Sequence, residues 1–475
     1  MMYRLMTGLA ALMAAGAVQA QTPADGAAGA IRSGDRVYAA EQFSNTVSVT
    51  DPSENRLVGL IRLGDPAPGN LSPLYRGQLL VHGLGISPDG RTLAVVSIGS
   101  NSVTFIDTAT NAVKHTTYIG RSPHEAYFTP DGRELWVTVR GEDYVSVIDP
   151  VSFEETDRIR TPAGPGMTVF SPDGRYGYIC SSFNPTTVVV DVATHQIVGE
   201  VTQPSGFCPN IAVSPDGSQV WFTLKDIGKV TAFNARPPFN ILTTLDTGPI
   251  TNHVNFARTP EGQFAYVTVG GRNEVKVFRT DDFSQTATIP VGALPHGLWP
   301  SPDGSRVYVG LENGDALAVI DTATNTLLTN VAIGQAPQAV VYAPNAVPTG
   351  PGDENLKPLT GVGTVQLRLR GTDGAAVDST ISLFDQGLIQ VLQASIVGLA
   401  PRTAHVLALA DTPDGAGALQ PLAAFTTNPA GAAVVNALGP IRQQVQSGPD
   451  GVRRYLVVAP GTPDAPGAPV QVQAP

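Results

Sequence analysis

Four of the seven histidines in this chain fall at, or one residue from, a single recurring position. His82, His124 and His296 each precede a proline by six residues (Pro88, Pro130, Pro302), and His253 precedes Pro260 by seven. The equivalent positions elsewhere hold Gly166, Pro209, Val254 and Gln338. Neutral imidazoles brought to one place are ready ligands for a transition metal such as copper, iron or zinc, provided that neighbouring polar groups fix their tautomers. Glu125, Asn210, Asn252 and Asn255 stand beside the recurring position and are candidates for that task. The same spacing also suits histidines that merely face solvent, because zinc–nitrogen bonds of about 2.0–2.1 Å require close convergence. Arg121, Arg140, Lys225, Arg272 and Glu312 fall near the same end of the repeat, as a clamp for an anionic ligand or as a solvated charged rim.

What must position these residues is a repeat. Its turn proline, followed by Asp-Gly in most copies, recurs at Pro88, Pro130, Pro172, Pro215, Pro260, Pro302 and Pro344, at intervals of 42, 42, 43, 45, 42 and 42 residues. Short runs rich in Val, Tyr, Phe and Ile alternate with Gly, Pro and Asp turns, which predicts four antiparallel strands per copy. Such a meander cannot bury both faces alone, and a period of about 40–45 residues is the signature of a β-propeller. Second strands number seven and innermost strands number seven, but the first copy lacks an innermost strand and the last copy is only that strand. The expectation is an all-β, seven-bladed propeller over residues 36–344. It closes by pairing residues 338–342 with residues 36–41, which removes sheet edges. The innermost strand begins at the rim of the central channel, so the histidines gather at one channel mouth.

The segments LWVTVRGEDYVSVIDPVS, FAYVTVGGRNEVKVF and VYVGLENGDALAVIDTATN resemble the YVTN family of β-propellers, over roughly residues 36–344. The architecture is similar to the propeller of nitrous oxide reductases, whose histidine-lined centre holds a copper cluster, and to that of nitrite reductases, which binds a haem. This chain lacks a seven-histidine set, and it has no Cys-x-x-Cys-His for a covalent haem c.

The remaining sequence bounds the setting. Residues 1–20 carry Arg4, an apolar run and a small-residue end, a signal peptide that predicts a periplasmic or secreted protein. No run is long enough for a transmembrane helix. A net charge of −11 with no basic stripe argues against nucleic acid as partner. Residues 21–35 read as a linker. Asp65–Gln78 lengthens one copy on the mouth face, as a loop that shapes a binding site or as a tolerated insertion. Cys180 and Cys208 fall on neighbouring blades at the mouth; a disulfide is the first expectation in an oxidising compartment, and a pair of thiolate ligands is its rival. The Pro- and Gly-rich residues 345–361 read as a second linker, residues 362–460 as a small β-sandwich of seven short strands, and the Pro- and Ala-rich residues 461–475 as a disordered tail. The sandwich resembles accessory adhesion or stabilising modules. The Asp ending each third strand should cap its own turn. No nucleophile elbow, His-Glu-x-x-His, phosphate loop or EF-hand is present. The expected function is binding of a small ligand, metal ion or protein partner at the mouth of a monomeric exported propeller. The alternative is a metal-dependent oxidoreductase, ahead of a lactonase-like hydrolase, on the same rim.

Overall fold

The computed structural model describes residues 29–64, 79–360, 363–386, 389–446 and 452–475. The expected signal peptide, residues 1–20, and the insertion Asp65–Gln78 lie outside them. Seven four-stranded antiparallel sheets form the propeller. Blades one to six occupy residues 81–118, 123–160, 165–202, 211–246, 251–290 and 295–332. Blade seven combines Pro337–Ala343 with Arg36–Glu41, Thr46–Asp51 and Arg56–Arg62, in that order. The register runs from Arg36 opposite Ala343 to Glu41 opposite Pro337, the closure that the strand count predicts. Asp35 clasps the junction, accepting from Tyr342 Oη at 2.6 Å and from Asn345 N at 2.7 Å.

Burial falls from the axis outward. The innermost strands are buried almost throughout, at every residue in Pro123–Phe128 and Pro295–Pro300, because neighbouring blades cover both faces. The outermost strand Val113–Tyr118 is mostly exposed. Turns follow side-chain chemistry: Asp107 Oδ1 accepts from the N–H groups of Ala109 and Thr110, and Asp321 does the same for Ala323 and Thr324. Blades are laced together where the second and third strands meet. Asn45, Asn101 and Asn273 adopt positive φ there, and each accepts through Oδ1 from a backbone N–H of the next blade, at Leu80, Ser122 and Leu294.

The C-terminal domain differs from the expected sandwich. Its strands join one continuous sheet that runs from Leu419–Thr426 through Ala404–Ala410, Tyr455–Thr462, Gln471–Gln473, Val365–Gly371, Ala376–Asp385 and Gln390–Ile396 to Ala433–Gly439. The two end strands come alongside each other, so the sheet curls into a nearly closed barrel. The tail expected to be disordered is part of this sheet. Gln471–Gln473 pairs with both Val365–Gly371 and Tyr455–Thr462, and Val472 is buried against Val406, Ala408 and Val457. A three-residue polar–apolar–polar alternation outweighs the Pro-rich composition around it, since it fills a gap between two strands that would otherwise stay unpaired.

Residues 345–360 carry the chain from the proline-turn face to the mouth face. Arg91 holds the carbonyls of Asn345 and Ala346, and Lys357 bridges to Leu60 on the outer edge of blade seven. The barrel therefore docks on the mouth. Phe384 packs edge-on against Phe43 with centroids 4.9 Å apart, Arg272 pairs with Asp378 at 3.1 Å, and Val397 and Ala432 pack against Ile250 and Leu294. These contacts fall on blades four to seven, with Ala430 N donating to Asp226 O on blade four.

Candidate functional site

His82, His124, His253 and His296 start the innermost strands of blades one, two, five and six, and all four are buried together at the channel mouth. Ring centroids lie 4.4 Å apart for His82 and His124, 4.7 Å for His253 and His296, and 6.1 Å for His82 and His296. Close approach of the strands makes this convergence possible. A side chain on Gly83 or Gly297, the residues following His82 and His296, would meet the His124 or Gln338 carbonyl at 2.3 or 2.4 Å.

The rings fall into two kinds. His124 Nδ1 donates to the Gly166 carbonyl at 2.7 Å, and His296 Nδ1 donates to the Gln338 carbonyl at 2.7 Å. A carbonyl only accepts, so both rings carry the proton on Nδ1 and present a lone pair on Nε2. The other two are less constrained. Asn210 Nδ2 donates to His253 Nδ1 at 3.3 Å, which leaves His253 Nε2 without a partner. His82 Nδ1 faces Glu125 Oε1 at 3.8 Å, and neither atom has a hydrogen-bond partner. Glu312 Oε2, likewise unpartnered, lies 4.0 Å from His296 Nε2. Among the described residues, no three His, Cys, Asp or Glu side chains yet aim their donor atoms at one point. The rings are gathered, but only His124 and His296 are held by a backbone carbonyl.

Electrostatics keep the cluster neutral. Burial pushes the pKa of all four imidazoles down, to about 3 at His296, with Arg140 and Lys225 among the charges that lower them further. Burial also pushes Glu125 up to about 8, against a hydrogen bond from Leu84 and the Arg140 charge. Arg140 and Lys225 stand at the same mouth, and burial lowers both. Beneath the imidazoles the channel is plugged by Tyr127, Met167 and Trp299, which leave a cavity of about 20 Å³, room for a single water. Access is therefore from the mouth.

The other expected residues divide. Asn210 joins the site. Asn252 and Asn255 donate to the carbonyls of Pro295 and Leu298, and so tie blade five to blade six. Arg121 is an exposed rim residue whose backbone N–H is held by Glu142. Cys180 and Cys208 form a disulfide with Cα atoms 6.0 Å apart, which removes the thiolate reading. Two features were not anticipated. Thr138, Thr223 and Thr268 donate to the carbonyls of Gly166, Asn252 and His296 on the following blades, and their recurrence in WVT, WFT and YVT was a visible signal. Gln393 of the C-terminal barrel donates to Glu312 Oε1, so the second domain reaches the imidazole cluster itself. No local pattern could have shown that contact.

The model of the YNCE-like beta-propeller family matches residues 77–264. No curated protein matches the chain. Among solved structures, Hydrazine Synthase of Kuenenia stuttgartiensis is similar at 20% identity and a TM-score of 0.49, over 55% of this chain and 88% of that one. A functionally unknown protein from Desulfotomaculum acetoxidans DSM 771 is similar at 15% identity and a TM-score of 0.53, over 65% of this chain and 98% of that one. The latter likeness is one of fold alone. The chain is a seven-bladed β-propeller that matches the YNCE-like family from residue 77 to residue 264.

Proposed function

We propose that this is an exported binding protein that holds one transition-metal ion at the mouth of its channel, through His82, His124, His253 and His296. The observation that carries the reading is the gathering of four neutral, buried imidazoles, two of them locked by carbonyls with Nε2 lone pairs presented. Backbone carbonyls that fix a tautomer in this way are the usual outer support of a metal-ligating histidine. Three of the ring pairs, His82–His124, His253–His296 and His82–His296, lie 4.4, 4.7 and 6.1 Å apart, which links all four imidazoles in one cluster. His82 and His253 are the rings left to turn, since neither is anchored to a carbonyl. The signal-like residues 1–20 support export.

Elemental analysis of the purified protein, followed by titration of chelator-treated protein with copper and zinc, tests this. One ion per chain is expected, with capacity lost in the His124→Ala/His296→Ala variant. Wild-type protein that takes up no copper or zinc would overturn the proposal.

A further inference from the structure

Glu312 follows the second strand of blade six, Arg306–Leu311, beside the innermost strand that carries His296. Blade six alone places its main chain: Glu312 N donates to Leu294 O at 2.9 Å, and Asn313 N to Ala293 O at 3.2 Å. The C-terminal barrel takes hold of the rest. Gln393 Nε2 donates to Glu312 Oε1, and Ser382 Oγ donates to the Asn313 carbonyl at 2.8 Å. Ser382 and Gln393 are both buried and stand directly opposite each other on adjacent barrel strands. Opposed residues share one face of a sheet, so a single cross-strand pair grips Glu312 and Asn313 together.

That grip leaves one oxygen over. Glu312 Oε2 is buried, has no hydrogen-bond partner and lies 4.0 Å from His296 Nε2. The proton of His296 sits on Nδ1, which donates to Gln338, so Nε2 offers a lone pair. Two acceptors therefore face each other across a gap too wide for a hydrogen bond, and a buried pair of this kind is satisfied by a cation between them. Metal bonds of about 2.0–2.1 Å to nitrogen and 2.0–2.2 Å to oxygen bridge the gap once the atoms close by roughly half an ångström. Holding the domains together does not require this arrangement. Phe43 against Phe384 and Arg272 with Asp378 already fasten the barrel at the rim.

We infer that Glu312 is an oxygen ligand of the ion at the imidazole cluster, and that the barrel positions it there through Gln393. The second domain is then part of the metal site and not a spacer beside it. A mixed nitrogen and oxygen set also favours copper(II) or zinc over copper(I). The inference rests on the metal reading of the channel mouth and adds to it a fifth ligand and the residue that aims it.

Titration of chelator-treated, full-length protein with copper(II) and with zinc, together with the electron paramagnetic resonance spectrum of the copper form, tests it. Gln393→Ala should weaken binding about tenfold, as loss of an outer support does, and Glu312→Gln should weaken it further. Both should move the copper spectrum in the same direction, towards a set made of nitrogen alone. The double variant should bind no more weakly than Glu312→Gln, because the two residues act through one contact. Arg272→Gln, which removes the exposed pair between the domains, should change neither affinity nor spectrum. Wild-type affinity and spectrum in Glu312→Gln, or in Gln393→Ala, overturns the inference and leaves the four-imidazole site standing. A wild-type protein that binds neither copper nor zinc overturns both.

Discussion

Between blades two and three, His195 lies among acids: Nδ1 meets Asp157 at 2.7 Å and Nε2 meets Glu134 at 3.1 Å. Glu134 also accepts from Trp136 Nε1 at 2.7 Å. Partial burial pulls the His195 pKa down, but the two carboxylates outweigh it and raise the value overall. At the channel mouth the same side chain occurs four times with the opposite outcome. There burial dominates, no ionised carboxylate stands within hydrogen-bond reach, and polar atoms at His82, His253, Glu125 and Glu312 are left unpartnered. The difference separates a histidine that finishes a structure from histidines that await something. A buried polar atom without a partner costs about 1–3 kcal/mol, so such atoms clustered in one place mark a site rather than a packing accident.

The comparison can be broken most directly with metal. In the His82→Ala/His253→Ala variant, zinc or copper affinity should fall by at least about a hundredfold, while His195→Ala should keep its full capacity. Equal loss in both, by elemental analysis, would erase the distinction.

Acid stability sharpens it. The channel imidazoles titrate below their unfolded value of about 6.5, so the stability they bring is present above that pH and is lost as pH falls, towards about 3 for His296. His195 has the reverse sign: its raised value gives stability that is complete below about 6.5 and is lost as pH rises through its folded value. Each strongly depressed imidazole should remove about 2 kcal/mol of stability between pH 7 and pH 5. Denaturant unfolding of metal-free His82→Gln/His253→Gln should show a correspondingly shallower decline than wild type. A decline unchanged by the substitutions would mean that the rings do not titrate as buried groups.

The smallest effect belongs to the outer histidine. Glu134→Gln leaves His195 with one acid in a half-exposed setting, where an ion pair is worth less than about 1 kcal/mol. Thermal unfolding near pH 6 should shift slightly downward, and metal capacity should not change. A shift in metal capacity would show that the two regions communicate.

Much of this was readable from the chain because the repeat writes its turns in local chemistry. Pro-Asp-Gly after an innermost strand, Asp after a third strand and histidine before the turn each place a residue without any knowledge of its neighbours. The disulfide followed from the same bookkeeping. Contacts that depend on how one sheet leans on the next were not readable. Asn252 and Asn255 stand beside the histidines in sequence, yet blade-to-blade geometry directs them to carbonyls. The threonine links of Thr138, Thr223 and Thr268 were written in the repeats but need two blades to have meaning. The pairing of Gln471–Gln473 and the reach of Gln393 to Glu312 join segments far apart, whose adjacency only the folded barrel supplies.

The sheet that holds both ends of the propeller also sets an order of events. Its innermost strand, Pro337–Ala343, is synthesised after every other strand of the disc, and the barrel that leans over the mouth is synthesised later still. Every strand of the disc therefore precedes the barrel that leans over the mouth. A chain cut short just after Ala343 would lose, along with the barrel, Asn345 and Val347, whose backbone N–H groups fasten the junction to Asp35 and Gly34.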